Sequence, residues 1–283
     1  MAIDLAVDYA PYVDELFTQE SKKDLLTNQD FTWTGAHSIK VYKITTSQMN
    51  DYKRNPGPGA AGIANSRYGE VGDLAATTEE FTLKKDRSFT FAIDKLDNDE
   101  TKGALEPASA LARQQREVVI PEVDSYVYGV MIANAGSKPN PVTLTEENIY
   151  TEILKAGTSL DNEGVPESGR QLLVVPEVYV LMKRCKDITM ETNIGNDLRL
   201  KGVISNLDGS NVIKVSPTRV PKNFGFMLAH PCATVAPVKL DDYKIHEDPP
   251  GISGSLVEGR ICYDAFVLEN KAKAIYYQEN KTV

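Results

Sequence analysis

The sequence predicts an α+β fold, and three observations carry that expectation. An extended segment with period-two alternation ends near Asp94. A helical run of about thirty residues follows it, from about Gly103 to Asn134. The remaining helices and strands succeed one another without the strand–helix–strand rhythm of a parallel sheet. In the extended segment, Phe81, Leu83, Phe89, Phe91 and Ile93 all hold odd positions, with Lys85 and Arg87 interrupting that face. The even positions, Thr82, Lys84, Asp86, Ser88, Thr90 and Ala92, are mostly polar. One face must therefore pack while the other meets water. A lone two-stranded ribbon is marginal in water, so this one needs a cover, either from its own chain or from a neighbour.

The elements follow in order. Residues 1–30 read as an amino-terminal arm, because Leu5, Tyr9, Tyr12, Val13, Leu16 and Phe17 recur at helical steps, with Pro11 starting or kinking the helix. A strand-rich stretch at 31–46 carries Trp33 near its start and Ile39, Val41, Tyr42 and Ile44 in its second half. Residues 51–62 hold two prolines and three glycines, which exclude regular structure and predict a mobile tip. Extended segments flank that tip, so residues 38–94 are expected to form one long, loose hairpin. Asp94, Asp97, Asp99 and Glu100 precede the long helix, where acidic residues complement the positive end of its dipole. Val119, Val123, Val127, Val130 and Met131 keep helical spacing, Pro107 suits the first turn, and Pro121 should kink or divide the helix. The full run would reach roughly 45 Å.

After a turn at 136–141, a helix should run from Thr145 to about Leu160, and 161–169 is a polar loop. Residues 171–175 form an apolar strand, and Pro176 opens a helix to about Lys186. Leu207-Asp-Gly-Ser210 is a hairpin signal between strands at 203–206 and 212–215. Further strands are expected at 224–229, 240–246, 259–268 and 272–277, with Asn270-Lys271 separating the last two.

Composition narrows the function. The 283 residues allow one large or two ordinary domains, and 41% hydrophobic with 25% charged content is globular. No apolar run approaches the ~18 residues of a membrane span, so no membrane role is expected. The acidic start, Met1-Ala-Ile-Asp4, argues against an export signal. Cys185, Cys232 and Cys262 are odd in number and far apart, which favours reduced, buried thiols. The formal charge of −9 argues against dedicated binding to a nucleic-acid backbone.

Catalytic patterns fail one after another. Gly57–Gly62 matches GxGxxG as a string, but Pro58 lies inside it and no buried strand precedes it, so it reads as a flexible loop. No P-loop string occurs. Counted from Asp97, a calcium loop needs glycine sixth and glutamate twelfth, whereas Lys102 and Ala108 stand there. His230-Pro-Cys232 has no second ligand pair, so a strand-end histidine and a buried thiol are expected. Gly251–Ser255 lacks the final glycine of a nucleophile elbow. Glu177, Asp187 and Glu191 read as a solvated face. Tyr126, Tyr128, Tyr263 and Phe266 read as core, since Asp124, Asp264 and Glu269 nearby oppose a base-stacking groove. No enzyme activity, catalytic residue, cofactor or metal is expected.

The order of parts resembles the major capsid proteins of tailed phages with the Hong Kong 97-type fold. The likeness rests on Asp86–Thr101, the helix with Val119-Ile-Pro-Glu-Val-Asp-Ser-Tyr126, Phe226-Met-Leu-Ala-His-Pro231, and Glu258–Val267. It covers nearly the whole chain, and the order of the strings is more specific than any one of them. The resemblance implies an arm at 1–30, an extended loop with flanking strands at 31–102, and a spine helix of a peripheral domain at 103–135. A mainly axial domain at 136–240 and closing strands at 241–283 complete it. It also implies that copies form pentamers and hexamers and enclose double-stranded DNA without reading its sequence. Scaffolding, portal and decoration proteins are the further partners, and the location is the virion, assembled in the host cytoplasm. Lys53, Arg54, Tyr68, Lys84, Lys85, Arg87, Phe89 and Phe91 are the expected intersubunit contacts, with the ribbon's cover supplied by the next subunit. An aspartate at Phe89 or Phe91 should block assembly or folding. The family's lysine–asparagine crosslink has no motif here to carry it over. An encapsulin-like bacterial compartment shell and a non-viral α+β binding protein are the alternatives.

Overall fold

The computed structural model describes residues 21–28, 38–52, 54, 67–68, 76–100, 106–190 and 206–281. The arm helix at 1–17, Trp33, the tip at 55–62 and the strand before Asn206 lie outside the described residues. The chain divides into two compact units, a smaller one at 35–83 and a larger one formed by the rest.

The smaller unit is a ribbon. Strand β1 (Ser38–Ile44) pairs antiparallel with β2 (Ala76–Thr82), from Ser38 opposite Thr82 to Ile44 opposite Ala76. Lys43 and Glu79 form a 3.2 Å ion pair on it. Residues 76–83 of this unit are exposed or half-buried, and residues 45–52 are all exposed.

The larger unit begins at Lys84. Strand β3 (Lys85–Asp94) runs straight into helix α1 (Lys95–Glu100), where Asp94 Oδ1 accepts from the Leu96 amide. The acid-rich stretch is thus a short helix of its own and not the entry to the long one. Helix α2 (Pro107–Gln114) starts on a proline at its first position and passes through one π-helical turn, 115–119, into α3 (Ile120–Ala133). In that turn the Ile120 amide donates five residues back to Gln115. Pro121 therefore falls where the α-helical ladder is already interrupted, and the rod continues for about 40 Å without dividing.

Helix α4 (Ile149–Asn162) is entered through Asn148, whose side chain accepts from the Thr145 amide and donates to the Thr143 carbonyl. The loop before β4 (Gln171–Val174) is closed by buried Arg170, which donates to Asp161 at 2.7 Å and to the carbonyls of Val165 and Pro166. Helix α5 (Pro176–Arg184) ends where Cys185 turns extended, and α6 (Lys186–Met190) follows. Strands β5 (Asn206–Leu207) and β6 (Ser210–Lys214) are joined by Asp208 and Gly209 with φ of 46° and 70°, the mirror-image turn expected of an Asp-Gly pair. Next come β7 (Phe224–Ala229), β8 (Thr234–Val235), β9 (Val238–Glu247), β10 (Gly254–Tyr263), β11 (Phe266–Val267) and β12 (Ile275–Glu279).

A five-stranded sheet in the order β12-β7-β4-β6-β5 carries the core. Every residue of β4 and β7 is buried, which is why Leu172–Val174 and Phe224–Ala229 read as apolar runs rather than alternating ones. Val127 and Met131 of α3, Ile153 and Leu160 of α4 and Met182 of α5 pack in the same cluster as Leu172, Phe226 and Ile275. The β12 edge is closed by residues 137 and 142, whose backbones bond to Ile275, Tyr277, Glu279 and Lys281.

Several expectations are corrected. The hairpin ends at Thr82, because β3 pairs with β10 in a separate three-stranded sheet, β3-β10-β9. The expected strand at 259–268 is two strands, β10 and β11, and the last begins at Ile275 as β12, which joins β7 in the large sheet. Among the described strands one pair is parallel, β4 with β6. Cys185 is buried as expected, while Cys232 and Cys262 are only half-buried.

Candidate assembly surface

The expected contact residues divide by position. Lys53 lies outside the described residues, whereas Arg54, Tyr68, Lys84 and Arg87 are exposed. Tyr68, 79% exposed, meets Tyr52 edge-on with ring centroids 5.2 Å apart, and Met49 is fully exposed. Large apolar groups open to solvent beyond the paired strands are the costliest part of this surface to leave bare.

Phe89 and Phe91 belong elsewhere. They lie on β3, half-buried and stacked 6.2 Å apart, and Phe89 meets Tyr243 of β9 at 6.0 Å. Between those two strands sits Gly259 of β10, paired with both residues. Val118, Val119 and Val123 of the long rod line a 120 Å³ cleft with Phe89, Ile261 and Tyr263. The odd face of β3 thus finds its cover within its own chain, because a strand in a three-stranded sheet under a helix no longer projects.

The opposite face of that sheet is a charge ladder. Arg260 grips Asp86 through two bonds of 2.9 and 2.5 Å, Lys244 meets Asp242 at 2.8 Å, and His246 lies 3.4 Å from Glu258. Arg260 holds the Asp86 carboxyl below its ordinary 3.8 through that hydrogen bond. A depressed carboxylate contributes above its unfolded value and loses that contribution only as pH falls through the lower folded one. The Asp86 carboxyl carbon should therefore titrate below 3.8 by NMR and return toward 3.8 in Arg260→Gln. An unchanged midpoint in that variant would show that the fork is not made in solution.

Two buried acids anchor the frame behind these surfaces. Asp124 of α3 accepts from Ser21 Oγ and from Arg219 Nη1, both at 2.7 Å. Asp264, between β10 and β11, accepts from Tyr126 Oη at 2.7 Å and from the amides of Lys84 and Ala265. Sequence pattern alone uses both acids only as charges opposing a base-stacking groove, and their burial is not read from it. The signal available in the sequence was a polar residue at a core-facing helix position, as Asp124 is beside Val123 and Val127. Among the described residues no cluster of histidine, cysteine and acidic side chains fits a metal ion. No helix there is long and apolar enough to cross a membrane.

Across solved structures the similarity is end to end. Mycobacterium phage Che8 matches with a TM-score of 0.76 at 16% identity, covering 97% of this chain and 96% of that one. The capsid of the cyanophage P-SCSP1u matches at 0.76 and 14% identity, over 99% and 94%. The chain has the Hong Kong 97-type capsid fold. The mature capsid of bacteriophage PhiM1 follows with a TM-score of 0.70 at 12% identity, covering 99% and 93%. No protein-family model matches the sequence, and no curated protein does. The capsid fold is therefore conveyed by architecture, at identities too low for residue-by-residue transfer.

Proposed function

We propose that this chain is a major capsid protein, assembling with copies of itself into the icosahedral head shell of a tailed double-stranded DNA phage. The observation that carries the reading is the match over nearly the full length of both chains to proteins of phage capsids, with no unmatched domain left over for another task. The exposed residues 45–52, 54 and 67–68 between β1 and β2 agree with it, since a neighbouring copy would cover them. In this reading 1–30 is the arm, 31–102 the extended loop with its flanking strands, and 103–135 the spine helix of a peripheral domain. Residues 136–240 are mainly the axial domain, and 241–283 the closing strands.

Within the loop, Arg54 and Tyr68 are the proposed contacts, joined by Lys53, while Lys84, Lys85 and Arg87 act at its base. Phe89 and Phe91 act indirectly, by holding the sheet from which the loop departs. Repeating one contact around closed symmetry makes a durable shell from modest pairwise interactions. The acidic chain suits a wall that encloses DNA without binding its phosphates by counterion release. Scaffolding, portal and decoration proteins are proposed partners, assembly takes place in the host cytoplasm, and the role is structural rather than enzymatic.

Purified full-length protein should form capsomers or shells visible by negative-stain electron microscopy. Deleting residues 47–67 should reduce intact shells to less than roughly a tenth, because each copy would lose a contact that the symmetry repeats many times. A protein that stays monomeric at high concentration, or a deletion that assembles normally, overturns the reading.

A further inference from the structure

We propose that Tyr52 and Tyr68 are an oxidative modification site, where a one-electron oxidant of the haem-peroxidase class joins the two rings carbon to carbon and closes residues 53–67 into a covalent loop. Strands β1 and β2 pair without a shift from Ser38 opposite Thr82 to Ile44 opposite Ala76. Tyr52 lies eight residues beyond Ile44, and Tyr68 lies eight residues before Ala76. The same register carried past the strand ends sets the two tyrosines directly opposite each other, the position from which aromatic side chains meet across a ribbon. They do meet, edge-on at 72° with ring centroids 5.2 Å apart. Both are open to solvent, Tyr52 at 52% and Tyr68 at 79%.

Exposure and distance serve different halves of the reaction. Each phenol gives one electron to the oxidant and its hydroxyl proton to water, which leaves a phenoxyl radical. The two radicals couple at ring carbons next to the one that bears oxygen. Each ring then becomes aromatic again as that carbon loses its proton and the phenolic oxygen regains one. One carbon–carbon bond forms and two carbon–hydrogen bonds break. Two electrons and two protons leave, and one hydrogen peroxide takes them up as two waters. A radical on an isolated surface tyrosine must await a second chain, whereas here the partner ring is already in contact. Exposed side chains turn about their torsions within nanoseconds, which lets an edge-on pair bring those carbons together. A second pair in the molecule supplies the comparison. Tyr126 and Tyr263 are also edge-on, at 80° and 5.7 Å, but Tyr263 is only 2% exposed and the Tyr126 hydroxyl donates to Asp264 at 2.7 Å. Nearness without access to the oxidant should leave that pair unjoined.

The test treats the full-length chain with a haem peroxidase and hydrogen peroxide, then separates it on a denaturing gel. The chain is taken dilute and unassembled, because the capsid reading puts Tyr68 at a contact. Trypsin cuts after Lys43, Lys53, Arg54, Arg67 and Lys84, so the peptides that begin at Ile44 and at Tyr68 separate unless joined, and each carries a single tyrosine. In the band of one chain these two peptides should appear joined, lighter than the separate pair by two hydrogens and with the blue fluorescence of bityrosine. Tyr52→Phe and Tyr68→Phe should each lower that fluorescence at least about tenfold, since a partner held in contact outruns chance encounter by more than that. Overturning results are a joined pair found chiefly in bands of two or more chains, no joined pair at all, or fluorescence that survives both variants. Equal coupling of Tyr126 to Tyr263 overturns the inference too, since contact alone would then suffice. The inference does not rest on the capsid reading. Failure of that reading shows in the unaltered chain forming no shells, whereas failure of the coupling shows in peptide masses before any assembly.

Discussion

Asp124→Ala lowers the stability of the folded chain by about 3–5 kcal/mol, the scale for breaking one side of a buried ion pair. Asp124 has no exposed surface, and the Arg219 side chain that meets it at 2.7 Å is 4% exposed. The alanine variant removes a buried acceptor of the Arg219 guanidinium. It also removes the acceptor of Ser21 Oγ, which docks the 21–28 segment where Leu26 is buried and the Asn28 amide reaches the Thr234 carbonyl. Burial pushes the Asp124 carboxyl above its ordinary value, against the lowering effects of Ser21, Arg219 and Lys23. That direction means the charge loses more in hydration than its partners return. Asp124→Leu with Arg219→Met should therefore regain more than half of the single-variant loss, because no unpaired charge remains. Urea unfolding of the three variants measures this. A single-variant loss below about 1 kcal/mol, the scale of exposed pairs, would mean that water reaches the pair.

Local patterns made much of this fold legible. The apolar run at 171–175, the proline opening α5 and the Asp208-Gly209 turn each encode a conformation in a few adjacent residues. The order of these parts was enough to indicate the capsid architecture. Pairing partners were not legible in the same way, because periodicity reports which face of a strand is buried and not what covers it. The boundary between β2 and β3 shows why. The joint at Leu83–Lys84 is two residues long, so it preserves the odd–even parity, and two strands in different sheets read as one continuous ribbon. That unbroken parity is what assigns Phe89 and Phe91 to the loop when they belong to the frame. Asp124 and Asp264 escape detection for a related reason. A carboxylate is buried only when distant donors converge on it, and apart from the adjacent Ala265 amide their donors lie 95 to 180 residues away along the chain. For the candidate assembly surface, Arg54 and Tyr68 fall between β1 and β2 and are exposed, but the sequence did not indicate where the ribbon ends.

Gly259→Val destabilises the chain by about 2–4 kcal/mol, although valine is a far better strand residue than glycine. The reason lies in the strands on either side. β3 and β9 flank β10, so their backbones are separated by two strand spacings, about 9.6 Å. The rings of Phe89 and Tyr243 nevertheless approach to 6.0 Å between centroids, which they achieve by leaning toward each other over Gly259. A Cβ there would press into the Phe89 ring and lie 2.7 Å from Tyr243 Cδ1. Valine must push the rings apart, at about 1–3 kcal/mol for overpacking and a further ~0.5–1.5 kcal/mol for the lost aromatic pair. In a Phe89→Ala background the same substitution should cost little or become stabilising, since the space is then empty and strand propensity decides the sign. Unfolding midpoints of the four chains in this cycle isolate the coupling. A Gly259→Val chain more stable than the parent would mean that the rings do not close over the glycine. The cycle also tests whether Phe89 packs within its own chain, because a phenylalanine whose cover came from another subunit would show no coupling to Gly259 in the unassembled chain.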